Sequence, residues 1–100
     1  MSSLRDEDTE TLINATKYLQ HQWLEFARNP HEFGSDKERR QHYVDSLLNN
    51  LIEHGEELKR RGIAVPRESN SVAVARQHVA DKYTTKSNKD KFNSWWQGKY

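Results

Sequence analysis

Apolar residues recur at three- and four-residue spacing along most of this chain, and that spacing limits its fold more than any other feature. In the first third, Leu12, Leu19, Trp23 and Phe26 follow the pattern and define one face of a helix. No segment alternates apolar and polar residues in the way a half-buried strand does. The sequence therefore predicts an all-α protein.

Helix stop and start signals divide the pattern into four helices. Pro30 follows Asn29 and disfavours a helical conformation there, and Gly62 supplies a left-handed terminator. Ser35 and Glu38 have the spacing of a capping box at the start of a second helix, and Asn70 or Ser71 is expected to cap a third. The predicted helices span residues 6–28, 35–61, 71–83 and 88–98.

The connection between the first two helices is short, so we expect them to form a long antiparallel hairpin. Two short helices then complete a single domain over residues 1–100. The predicted core shares the three-to-four spacing and consists of Leu12, Leu19, Trp23, Phe26, Val44, Leu47, Leu51, Leu58, Val79 and Phe92.

Composition is compatible with a folded domain but leaves little margin. Leu, Ile, Val and Phe make up 19 of the 100 residues, whereas the net charge is only +1 and ten residues are aromatic. Low net charge and many rings favour folding over disorder. Because a core this small gives modest stability, pairing of two copies is also expected.

Few residues have the arrangement that catalysis or metal binding requires. The chain has no cysteine and four glycines, none in a phosphate-binding loop. Histidine pairs with a carboxylate at helical spacing in three places, each giving only two ligands: His21 with Glu25, His54 with Glu57, and His78 with Asp81. We therefore predict no enzymatic activity, no cofactor and no metal.

The amino terminus and the apolar runs bear on location. MSSLRDEDTE is acidic and polar and lacks the apolar centre of a secretion signal, and no apolar run has membrane-spanning length. A cytoplasmic protein without a membrane partner is expected.

Charge is distributed unevenly along the chain. Residues 1–50 carry a net charge of −3, and residues 51–100 carry +4. Half of the aromatic residues lie between Tyr83 and Tyr100, interleaved with lysines. Rings beside cations suit nucleic acid, an acidic protein partner or the protein's own core. One of Trp95 and Trp96 is expected in the core, and the other is a candidate for an exposed contact.

The third and fourth predicted helices have the order of a helix-turn-helix, although Thr84 and Thr85 stand where a glycine and a branched apolar residue are usual. The leading hypothesis is a small regulatory protein that contacts nucleic-acid phosphates through its basic half. The candidate phosphate contacts are Arg76, Lys82, Lys86, Lys89, Lys91 and Lys99. The alternative is a helical protein-interaction module, an adaptor, inhibitor or antitoxin-like partner, that binds no nucleic acid.

Overall fold

The computed structural model describes residues 4–84 and 90–91, and every regular element in this part of the chain is helical. A 3-10 helix at Leu4–Asp6 precedes α1, which spans Thr9–Arg28. A second 3-10 helix, Pro30–Phe33, leads into α2 at Lys37–Arg60, and α3 spans Asn70–Tyr83. The predicted all-α class is confirmed.

The helix bounds match the predictions to within one to three residues. α1 begins at Thr9 rather than at residue 6, because the chain there forms the separate 3-10 turn. The predicted fourth helix, 88–98, lies outside the described residues apart from 90 and 91, which are helical. The predicted core residue Phe92 also lies outside them.

Contacts at both ends show that α1 and α2 are antiparallel. The Phe26 and Tyr43 rings stack 5.6 Å apart near the loop, and Arg61 Nη1 donates to Thr9 Oγ1 at 3.1 Å at the far end. α3 packs against both helices, chiefly α1. The described domain is therefore a three-helix arrangement in which α3 forms one wall of the core.

The core is built largely from the predicted residues. Trp23, Phe26, Val44, Leu51, Leu58 and Val79 are fully buried, and Leu12 and Leu47 nearly so. Leu19 was also predicted to lie in the core, but it is only partly buried and packs on the margin of the core. Two polar residues share the buried stripe of α1: Thr16 Oγ1 donates to Leu12 O, and Gln20 Nε2 donates to Pro66 O, both at 2.7 Å.

The helix caps lie one or two residues from their predicted positions. Asp36, not Ser35, caps α2, and its Oδ1 accepts from Arg39 N at 2.8 Å. Ser69, not Asn70 or Ser71, caps α3, and its Oγ accepts from Val72 N at 3.2 Å. Each cap has the extended backbone that an N-cap requires.

The end of α2 follows the prediction. Gly62 has a φ of +75°, which favours glycine. Its N–H donates to Lys59 O and the N–H of Ile63 to Leu58 O, each at 2.9 Å, which is the Schellman arrangement. The chain then continues as a connector without regular secondary structure, 63–69, in which Pro66 O accepts a hydrogen bond from Gln20 of α1.

Candidate interaction surfaces

Arg76 does not lie on the surface where its positive charge was expected. It is only 3% exposed, and its Nε donates to Glu68 Oε1 at 2.9 Å. The side chain of Glu68 is equally buried, at 2%. Desolvation by burial raises the pKa of the Glu68 carboxyl, and the charge of Arg76 opposes that rise. Arg76 thus joins the connector to α3 and is not presented to a phosphate.

The other candidate lysines divide into two groups. Lys82 and Lys91 are exposed, and the ammonium of Lys82 lies 5.6 Å from the centre of the Tyr83 ring. Lys86, Lys89 and Lys99 lie outside the described residues, as do Trp95 and Trp96. Of the six predicted contacts, the structure therefore brings Lys82 and Lys91 to the surface and buries Arg76.

The solvent-facing side of α3 is not basic. Val74 is 70% exposed, and Gln77 Nε2 donates to the exposed Asp81 at 3.1 Å. Lys82 is the exposed cation of this helix. A helix with this balance of charge is poorly suited to brace a DNA backbone in the way that the first helix of a helix-turn-helix does.

A groove runs along the first turns of α2, on the side of the 3-10 helix Pro30–Phe33. Its volume is about 770 Å³. We call it the α2 groove, and its lining residues are Phe33, Asp36, Glu38, Arg39, His42, Tyr43 and Ser46. Arg39, His42 and Ser46 recur at three- and four-residue spacing, so they share one face of the helix.

The apolar wall of the α2 groove is backed by the core. The ring centroids of Phe33 and Tyr43 lie 4.6 Å apart. The centroid of the fully buried Phe26 ring lies 5.4 Å from that of Phe33 and 5.6 Å from that of Tyr43. The Tyr43 hydroxyl donates to Gln22 Oε1 at 3.3 Å. Burial raises the pKa of the Tyr43 hydroxyl. These contacts pack the two rings against the core.

Close packing of the loop shapes the end of the groove. A Cβ at Gly34 would lie 2.9 Å from both Arg39 Cβ and Arg40 N, so only glycine fits against the first turn of α2. Arg40 Nη1 also donates to Gly34 O at 3.1 Å. The loop is thereby held beside the helix, and Phe33 is placed next to Tyr43.

The rim of the groove carries both signs of charge. Asp36 and Glu38 supply two carboxylates, and Arg39 supplies a guanidinium whose Nε lies 4.0 Å from Asp36 Oδ2. His42 and Ser46 are exposed and add a ring nitrogen pair and a hydroxyl. No local sequence pattern marks this surface, because its residues are spread over a loop and three turns of helix.

A second polar cluster closes the opposite end of the hairpin. Hydrogen bonds from Arg60, then from Arg61, lower the pKa of the Glu57 carboxyl to about 2. Arg61 Nη2 also donates to Leu4 O at 3.0 Å and to Arg5 O at 3.1 Å. These bonds tie the start of the described chain to the end of α2 and are structural.

The histidine pairs predicted as weak ligand sets have separate environments. His21 Nε2 lies 3.2 Å from Glu25 Oε1, as their spacing suggested. His54 Nδ1 instead lies 2.7 Å from Asn50 O, while Glu57 is engaged by the two arginines. Over residues 4–84 and 90–91, no group of three or more His, Asp or Glu side chains is arranged to hold a metal ion.

Among the helices that the structure describes, none combines the length and the apolar character needed to cross a bilayer. Comparisons with protein-family models, with curated proteins and with solved structures found no match to this chain.

Proposed function

We propose that the protein is a small non-enzymatic regulatory protein that binds nucleic acid through its basic C-terminal segment, residues 82–100. One observation carries the proposal. This segment contains five lysines and a single aspartate, and four of its five aromatic residues follow Lys91. Lysines neutralise phosphates and rings stack on bases, so the combination suits a nucleic-acid strand.

The geometry narrows the set of residues for this role. Lys82 and Lys91 support the proposal because both are exposed. Lys86, Lys89 and Lys99 remain in the set on sequence grounds. Arg76 is withdrawn, because a guanidinium paired with Glu68 inside the protein cannot reach a phosphate without breaking that pair.

Salt-dependent binding to generic duplex and single-stranded DNA tests this function. The double variant Lys82→Gln/Lys91→Gln should bind more weakly. The slope of log affinity against log salt should fall by about 1.8 units for duplex and about 1.4 for a single strand, from counterion release per contact. Fluorescence anisotropy at several salt concentrations measures both quantities.

The matched control is Lys17→Gln/Lys37→Gln, which removes the same charge from exposed positions on α1 and α2. It should leave the slope nearly unchanged. Equal effects of the two double variants would mean that the protein responds to net charge alone. If the unmodified protein retains no DNA or RNA at low salt, the proposal fails.

A helical protein-interaction module is the second candidate, and the α2 groove favours it. The groove joins an apolar wall to a polar rim, which is the anatomy of a protein interface. Pairing of two copies and a cytoplasmic location stay predictions from the sequence.

A further inference from the structure

We infer that the nucleic acid bound by this protein is single-stranded, and that α3 does not brace a duplex. The inference rests on the proposed nucleic-acid function and names its substrate class. Single-stranded DNA and single-stranded RNA share the chemistry involved, which is one row of phosphates beside unpaired bases. The choice between one strand and two is decided by the charge on the outward side of α3.

The outward side of α3 has little charge. Seven exposed residues share this face of the helix: Asn70, Ser71, Val74, Gln77, His78, Asp81 and Lys82. They include one carboxylate, on Asp81, and one ammonium, on Lys82, and Val74 is 70% exposed. The first helix of a helix-turn-helix crosses the DNA backbone, where neutralising each phosphate takes a cation. α3 supplies one lysine next to one carboxylate, so a duplex lacks this support.

Most arginines in the second half of the chain are bound to carboxylates of the protein itself. Of the four, Arg76 is paired with Glu68 in the interior, and Arg60 and Arg61 both donate to Glu57. A phosphate at any of these three guanidinium groups has to displace or share a carboxylate that is already bonded. They therefore add little to a surface for the phosphates of a second strand.

A single strand makes smaller demands on the charge of the protein. It presents one row of phosphates, and Lys82 and Lys91 are exposed to contact such a row. Four aromatic residues follow Lys91 in the sequence: Phe92, Trp95, Trp96 and Tyr100. Rings stack on unpaired bases, whereas the bases of a duplex are already stacked on one another. The aromatic residues therefore favour one strand over two.

Binding of the full chain to three labelled probes of equal length tests the inference. The probes are an oligothymidine, an oligouridine and a mixed-sequence duplex DNA, compared by fluorescence anisotropy at one salt concentration. At least one single strand should bind about tenfold or more tightly than the duplex. Duplex binding that is equal or tighter overturns the inference and leaves the proposed function standing. If no probe is retained at low salt, the proposed function fails as well.

The variant Val74→Lys/His78→Lys tests the part assigned to α3. Both residues are exposed, and the two new lysines would form a row with Lys82, one helical turn apart. The variant should gain affinity for the duplex more than for the single strands. The slope of log affinity against log salt for the duplex should steepen by up to about 1.8 units, from two added phosphate contacts.

Ser46→Lys/Asn50→Lys is the matched control, because it adds the same charge at two exposed positions one turn apart on α2. It should change the preference between single strand and duplex little. An equal gain in duplex affinity for both double variants would overturn the part assigned to α3, since net charge alone would then explain the gain.

Discussion

Arg76 illustrates how a charged residue changes its role when the fold removes it from water. In the sequence it is one of ten basic residues in the second half, and nothing distinguishes it from the lysines that follow. In the structure the connector brings Glu68 to within 2.9 Å of it, and both side chains are buried. Removing one partner of such a pair leaves an uncompensated charge in the interior.

We therefore expect Arg76→Met to destabilise the protein by about 3–5 kcal/mol near neutral pH. Burial already raises the pKa of Glu68, and Arg76 restrains that rise, so the variant should raise it further. An acid whose pKa is raised on folding favours the folded state at low pH. The deficit should therefore shrink as pH falls, which urea unfolding at several pH values measures.

The double variant Arg76→Met/Glu68→Leu is the control for that experiment. It removes both charges and should recover most of the lost stability, since paired apolar replacements are often neutral. A loss under half a kcal/mol for the single variant would mean that water reaches this pair.

At the scale of the elements, local signals located α1, α2 and α3 but did not choose the caps of α2 and α3. Ser35 and Asp36 are adjacent, and both are good N-cap residues. The choice falls on Asp36 because the Gly34 loop packs directly against Arg39 and Arg40, which sets where the first turn begins. The capping box read from Ser35 and Glu38 was therefore wrong by one residue.

Alanine substitution at the two positions distinguishes them. Asp36→Ala should cost about 1 kcal/mol of stability, because it removes the acceptor of the Arg39 N–H. Ser35→Ala should change stability by less than about half a kcal/mol, as an exposed residue without a special role does. Thermal unfolding of both variants measures this, and equal losses would contradict the assigned cap.

At the scale of the whole molecule, the two ends of the hairpin are held by different chemistry. Aromatic rings of α1, α2 and α3 meet at one end, where Tyr83 contacts Phe26 edge to face at 5.0 Å. Glu57 and Arg61 hold the other end, linking α2 to Thr9 and to Leu4. The second linkage depends on the ionisation of Glu57.

The contribution of this Glu57 cluster to stability should accordingly fall in acid. The pKa of Glu57 is lowered from 4.5 to about 2 on folding, so its contribution is present above pH 4.5 and is lost as pH falls towards 2. Glu57→Gln should be less stable near neutral pH and show a shallower loss across that interval. Denaturant midpoints measured from neutral pH down to that range test this. An unchanged slope in the variant would exclude Glu57 as the group responsible.

Periodicity determined the helices and most of the core without any tertiary information. Leu12, Trp23, Phe26, Val44 and Leu51 repeat at the helical period, and a residue on an apolar stripe must be buried wherever the helices meet. The helix end at Gly62 could likewise be predicted, because a left-handed helix end favours glycine whatever packs around it. The helical period and the end of a helix depend on residues that are close together in the chain, so both can be predicted from the sequence alone.

Tertiary structure alone decided which polar residues leave the surface and which surfaces remain open. Gln20 is buried because Pro66 offers an acceptor from 46 residues away, and Arg76 because the connector returns Glu68 to α3. Phe33 and Tyr43 are ten positions apart in the sequence. The α2 groove exists because both rings pack against Phe26. Burial and shape depend on contacts between distant segments, and a local pattern cannot specify how distant segments meet.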